Sequence, residues 1–312
     1  MEPNKSTSTI RKVAIFGASG NFGTPITAAL THSLCFDVTI ITRPESRSVF
    51  PPGIPVIRTA YTVEDLTKAL AGQDAVVCAV APAAVSHQVA MIDAAEAAGV
   101  KRFIVNDFGW GLRTRTHGLP EFRETIEKRH VGWDYASKRA AANPAFTWTG
   151  ITTGNPIDWA LRKFPAMGFD AVNQTAIIYD AGEEMFTGTT LEGIGKSVDG
   201  VLSHPDETAN RFVNVRSIKT CQNEMLQAFQ KVTGRQWPVR HSTTEAMKIE
   251  GRARYKAGAG WTLYIAVAQL LDPGMARNVV APSREESDAD LLGIAEETPE
   301  SIAERVMKFQ LC

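Results

Sequence analysis

The chain has 312 residues, with 33 Lys and Arg against 34 Asp and Glu, a net charge of -1 and 44% hydrophobic residues. That is ordinary globular composition for one large domain, or a domain with a smaller lobe. It lacks the basic excess of a nucleic-acid protein and gives no reason to expect an anionic membrane as partner.

The polar residues 1–9 (MEPNKSTST) lack the apolar core of a signal peptide and are expected to form a disordered leader. Lys12–Phe16 (KVAIF) predicts a first strand, stopped at Gly17. Pro25–His32 reads as a helix. Asp37–Thr42 (DVTIIT) predicts a second strand, halted by Arg43-Pro44. Pro55–Arg58 is a short third strand and Val63–Ala71 a helix. Ala75–Val80 (AVVCAV) is a fourth strand, closed by Ala81-Pro82. Val85–Ala98 is an alanine-rich helix ending at Gly99, a C-terminal cap signal. Arg102–Asn106 and Thr147–Thr152 are the fifth and sixth strands.

Continuous apolar strands separated by helical segments predict an α/β fold, a doubly wound parallel sheet of the Rossmann type. Its ligand belongs at the carboxyl ends of the strands. The second half is mixed. Phe186–Gly188, Arg211–Val215 and Trp237–His241 read as strands. Leu191–Ser203, Thr220–Val232, Thr243–Lys256, Trp261–Leu271 and Ser301–Gln310 read as helices. Ala281–Asp290 (APSREESDAD) is the expected mobile loop.

Gly17-Ala-Ser-Gly20-Asn-Phe-Gly23 follows the first strand and opens a helix, the context that gives a glycine pattern meaning. Gly17 permits a tight turn. Gly20 lets the backbone approach a pyrophosphate. Gly23 allows close packing. Ser19, Asn21 and Phe22 complete the turn, and the helix start favours phosphate. A glycine-rich turn without a ligand is the plainer alternative. The second strand ends in Thr42-Arg43, with Arg47 close behind, where an acidic residue would hold the ribose of NAD. A guanidinium pairs with a 2′-phosphate instead, which points to NADPH. Residues 10–153 are therefore expected to be the NADP-binding domain. Residues 154–312 are expected to form a substrate-binding lobe interleaved with its sheet.

Cys35, Cys78, Cys221 and Cys312 show no C-x-x-C spacing, so neither a zinc site nor a redox pair is suggested. His87, His117 and His130 show no metal spacing either. A soluble cytoplasmic protein without a metal, monomeric or homodimeric, is the expectation.

The glycine turn, Thr42-Arg43-Pro44 and Lys101–Gly109 (KRFIVNDFG) together resemble the isoflavone reductase and NmrA-like family of atypical short-chain reductases. Asn143–Leu161 (NPAFTWTGITTGNPIDWAL) and Thr190–Val232 are similar to its fungal branch, the aromatic alcohol reductases. The resemblance spans roughly residues 10 to 240. The family usually has Pro-Ser where Val105-Asn106 stand here.

The resemblance implies a single catalytic lysine in a K-x-x-(V/I) pattern, which Lys128-Arg-His-Val131 matches. Near a nicotinamide and apolar walls, Lys128 would have a lowered pKa and carry a proton. The ordinary Tyr-x-x-x-Lys pair is missing, because Tyr135-Ala-Ser-Lys138 has the wrong spacing. A solvated helix face is the alternative for Lys128, with Lys138 the fallback. The resemblance also places Ala81, Gln88, Asn106, Phe108, Gly154, Asn155 and Pro156 at the cofactor. A plain turn explains Gly154–Pro156 equally well, and an exposed polar position explains Gln88. Phe108, Trp110 and Trp133 form a substrate wall or belong to the core. The basic loop Arg113–His117 meets an acidic substrate or is simply solvated.

The implied activity is NADPH-dependent reduction of a small aromatic or polyketide-like compound of specialised metabolism. Two alternatives keep the fold: an NADP(H)-binding redox sensor without turnover, and a redox-neutral cyclase or isomerase.

Overall fold

The computed structural model describes residues 9–113, 119–258, 260, 262–275 and 279–310. Most of the expected leader, Arg115 and His117 of the basic loop, and Trp261 lie outside them. The first part of the chain runs β1 (Lys12–Phe16), α1 (Gly23–His32), β2 (Asp37–Thr42), β3 (Val56–Arg58), α2 (Val63–Ala69), β4 (Ala75–Cys78), α3 (Gln88–Ala97), β5 (Arg102–Ile104), α4 (Arg123–Ala142) and β6 (Thr147–Thr152). The second runs β7 (Asn155–Pro156), α5 (Ile157–Ala160), β8 (Phe169–Asp170), β9 (Thr175–Tyr179), β10 (Phe186–Thr189), α6 (Leu191–Ser203), β11 (Arg211–Asn214), β12 (Ile218–Thr220), α7 (Gln222–Thr233), β13 (Val239–Ser242), α8 (Thr244–Lys256), α9 (Thr262–Leu271) and α10 (Pro299–Gln310).

Seven strands form one parallel sheet in the order β11-β6-β5-β4-β1-β2-β3. The order reverses between β1 and β4, which is where such sheets bind nucleotides. All four residues of β4 are buried, because helices cover both faces. Ile15, Ile151 and Val213 pack with Ile26, Leu30, Ile194 and Val198 on the α1–α6 side. Phe16, Val76 and Phe103 pack with Leu66, Met91 and Trp133 on the other side. Local signals set the ends of the elements. Thr62 caps α2 by accepting from Asp65 N, and Glu64 and Asp65 complement the helix dipole. The helix expected over Val85–Ala98 is split, since Pro82 opens a separate 3₁₀ turn over Pro82–His87.

The chain returns from its second half to complete the first lobe. Strand β11 pairs with β6 in parallel. Helix α6 lies against α1 at Gly195, where a Cβ would stand 2.5 Å from Pro25 O. Two three-stranded sheets, β12-β10-β7 and β13-β9-β8, build the second lobe around Phe169, Phe186, Phe229 and Trp237. Strands β7, β8 and β9 were not expected from the sequence. The 281–290 segment is pinned rather than loose. Val280 N donates to Thr187 Oγ1, and the Asp288 carboxylate accepts from Arg211 Nη2 and Asn214 N. Among the described residues no helix is long and apolar enough to cross a membrane.

Candidate cofactor and active site

The carboxyl ends of β1, β2, β4, β5 and β6 bring most of the singled-out residues to one edge of the sheet. The three glycines of the turn differ in what they require. Gly17 has φ +79°, and a Cβ there would meet Ala79 O at 2.4 Å. A Cβ on Gly23 would stand 1.9 Å from Gly17 O, so Gly23 packs against the turn itself. Both are demanded by the protein's own packing. Gly20 is exposed, and a Cβ there would stand 3.2 Å from Gly17 O, tight but far less so than at the other two glycines. A ligand passing over the turn accounts for a glycine at that position. Among the described residues, no acceptor serves the N–H groups of Ser19, Asn21 or Phe22, which open the start of α1. A pyrophosphate fits that set of donors. The Phe22 ring turns inward, 6.1 Å from Phe108.

Arg43 and Arg47 stand exposed just past β2. Glu45 folds back onto Arg43, with Oε1 3.4 Å from Nε. One nearby ring, Tyr61, escaped the sequence reading. Tyr61 meets Phe16 and His87 edge-on, each at 5.6 Å. Burial holds its phenol at about 12, so it stays protonated. No pattern announces Tyr61, because it lies in an irregular stretch after the short β3.

Gln88 is fully buried, not exposed as one reading expected. Its Oε1 accepts from Asn106 N at 2.6 Å, and its Nε2 is buried without a partner. Asn106 braces two strand ends: Nδ2 donates to Cys78 O and Val80 O, and its carbonyl accepts from Trp133 Nε1. Only Oδ1 is left over, buried and without a partner. Ala81 is exposed beside them.

Phe108 is corrected to a core residue. It is 1% exposed, with φ +52°, and packs among Ile15, Ile26 and Ile151. Trp133 is core as well, against Phe212 at 4.9 Å. Trp110 is half-buried against Phe122, so of the three expected wall residues it alone lies outside the main core.

Asp107 is a buried carboxyl at this edge. Its carboxylate accepts from Thr152 Oγ1 at 3.1 Å and from Gly111 N at 3.4 Å. Burial pushes it up to about 6, against the pull of the Arg129 guanidinium. Burial in turn lowers Arg129, whose Nε has no partner. The pair lies around Gly109, where a Cβ would be 3.5 Å from Asp107 Oδ1 and 3.9 Å from Arg129 Nη1. Gly109 O accepts from Thr153 N and Gly154 N, tying the β5 and β6 loops together. Gly154 has φ +66°, and a Cβ there would meet Thr187 O at 2.9 Å. Asn155 and Pro156 are not a plain turn. They form β7 against β10, and the Asn155 amide contacts Met167 Sδ in the second lobe.

Lys128 lies on the solvent side of α4, its side chain 47% exposed, with Nζ 2.6 Å from Glu124 Oε1. Tyr135 donates to Asp93, and Lys138 is exposed. The α4 position aimed at the buried junction is Gly132, which abuts Gln88.

Comparison with known proteins agrees with this layout. A family model described as NAD(P)H-binding matches residues 17–176, just over half of the chain. The oxidoreductase poxI of Penicillium oxalicum is 59% identical over 293 residues, 94% of this chain and 92% of that protein. Leucoanthocyanidin reductase of Vitis vinifera, solved with NADPH, shares the fold at 20% identity. Its TM-score is 0.72, with 95% of this chain and 99% of that one covered. An isoflavone reductase structure shares it at 17% identity and TM-score 0.71, over 96% of this chain and all of that one. With the glycine turn, the strand order and these matches in agreement, the chain belongs to the NAD(P)H-binding family as an oxidoreductase, and it shares the fold of isoflavone reductase.

Proposed function

We propose that the protein is an NADPH-dependent reductase of a small aromatic or polyketide-like compound in specialised metabolism. The carrying observation is the exposed Gly20 among unpaired N–H groups of the turn, beside a strand end that offers Arg43 and Arg47. The bound cofactor supplies hydride to a carbonyl, a quinone methide-like carbon, an imine or an activated double bond. The protein's own contribution is to hold and orient. The glycine turn receives the pyrophosphate on unpaired N–H groups. Arg43 and Arg47 face the 2′-phosphate. The loops after β4, β5 and β6, braced by Asn106 and Gly109, shape the nicotinamide end. Trp110, beside Phe122, lines the approach for an aromatic substrate.

Lys128 is the proton carrier in this reading. Its ammonium must leave Glu124, and an exposed pair of this kind is worth little, so the exchange is easy. The outward position of Lys128 also favours one competing reading, an NADP(H)-binding sensor without turnover. The deciding experiment follows NADPH absorbance against a panel of aromatic aldehydes, ketones and enones. Oxidation of NADPH in preference to NADH by at least one class is the expected result. Binding of NADPH without turnover of any class favours the sensor, and failure to bind NADPH removes both readings.

A further inference from the structure

The segment after β2 is tethered from two sides. Ser46 N donates to Arg43 O at 3.1 Å, closing a tight turn over residues 43–46. Arg58, the last residue of β3, donates from Nη1 to Ser46 O at 2.6 Å. Two residues further on, Ser48 Oγ meets Ser19 Oγ of the glycine turn at 2.9 Å. Across the β2–β3 pair Arg58 is in register with Thr42, so its backbone stands next to the point where Arg43 leaves the sheet.

Arg58 has no packing role that explains it. Strand β3 is the edge strand and all three of its residues are exposed. A free edge arginine loses rotamer entropy when it fixes itself to a loop carbonyl. Holding that loop still is a reason to accept the cost. The loop carries Arg43 and Arg47, and it lies beside the glycine turn.

We propose that Arg58 is a positioning residue for recognition of the 2′-phosphate, resting on the NADPH reading above. A 2′-phosphoribose has its pyrophosphate at one end and its phosphomonoester at the other. Recognising both requires a fixed separation between the glycine turn and the arginines. The Ser19–Ser48 contact sets one end of that separation and the Arg58 clamp sets the other. Glu45 competes with the phosphate for Arg43, so the loop has little favourable charge to waste on a wandering geometry.

The test titrates NADPH and NADH by protein fluorescence against the parent, Arg58→Ala, Arg58→Lys and Ser48→Ala, with thermal melts to verify folding. The parent is expected to prefer NADPH. Arg58→Ala should weaken NADPH about tenfold, as loss of a charge-assisted hydrogen bond does, and leave NADH within about twofold. Arg58→Lys should recover most of the loss, since an ammonium can still donate to Ser46 O. Ser48→Ala should cost NADPH about threefold, as befits a neutral, exposed bond. An equal loss for both cofactors, or no loss, overturns the inference while a parental NADPH preference still stands. Equal parental affinities overturn the NADPH reading itself, and the inference with it.

Discussion

Gln88 occupies the place that a side chain on Gly132 would need: its Nε2 lies 1.7 Å from where a Cβ would stand. The same amide, through Oε1, accepts from Asn106 N at the end of β5. A helix on one layer is therefore keyed into the strand ends through a missing side chain. Gly132→Ala should push the amide aside and strand Asn106 N in a buried place. The expected cost is about 1–3 kcal/mol, typical of overpacking. Urea unfolding of the variant measures it, and parental stability would contradict the arrangement.

The glycine turn makes a graded prediction. Gly23→Ala places a Cβ 1.9 Å from Gly17 O, so both folding and cofactor binding should suffer. Gly20→Val meets the protein less closely, at 3.2 Å from Gly17 O, but projects where the pyrophosphate lies. It should lower the melting temperature less than Gly23→Ala does and lose NADPH binding. Calorimetric titration alongside melting curves separates the two. A Gly20→Val protein that binds normally would place the phosphates elsewhere.

Asp107 gives a pH dependence whose sign is fixed. Its carboxyl sits at about 6 in the fold against an ordinary 3.8, so the folded state holds the proton more tightly than the unfolded chain. Stability from this group is whole below the ordinary value and is lost as pH rises through about 6, to the extent of roughly 3 kcal/mol. Other carboxylates, such as Asp74 and Glu96, are lowered by their partners and slope the opposite way. The informative quantity is thus the difference in slope between the parent and Asp107→Asn over about pH 4–6. The variant should gain stability more steeply with rising pH than the parent. Identical slopes would mean that Asp107 ionises normally.

Lys128→Ala should leave NADPH affinity nearly unchanged and reduce kcat by about 10²–10⁴, the range of general acid–base catalysis. Lys128→Arg should not restore it, because guanidinium hardly releases a proton near neutral pH. Glu124→Gln should leave kcat the same or raise it, by freeing the ammonium from its 2.6 Å pair. Full activity in Lys128→Ala would move the proton to another donor.

The central strands of the sheet were legible because both faces are covered, so that Lys12–Phe16 and Ala75–Cys78 read as largely apolar runs closed by Gly or Pro signals. Lys12–Phe16, Asp37–Thr42 and Thr147–Thr152 have the expected bounds. The glycine turn was legible for the same local reason. The helix carrying Lys128 was less so, since Arg123, Glu124, Glu127, Lys128 and Lys138 give no clue as to which side faces inward. A glycine, an amide and a tryptophan mark that side: Gly132, opposed by Gln88, and Trp133. Gln88 was read as exposed because polarity in an alanine-rich helix normally means solvent, and its partner stands 18 residues away on another strand. Strands β7 and β8 were invisible because each is only two residues long, and β7 and β9 obtain pairing from segments far along the chain.

The crossing of the chain back into its own first lobe bears on how this protein can be taken apart. A fragment ending near residue 153 would leave β6 as a bare edge, with its partner β11 gone. It would also strip α6 from α1, uncovering Ile26 and Leu30. Such a half-protein should aggregate rather than fold, for want of an apolar cover and a strand neighbour. The packing unit is discontinuous: residues 155–189, 218–275 and 299–310 share one core, while 191–214 and 289–294 pack with the sheet. Chimaeras that respect that boundary offer a route to transplanting substrate preference without disturbing cofactor binding.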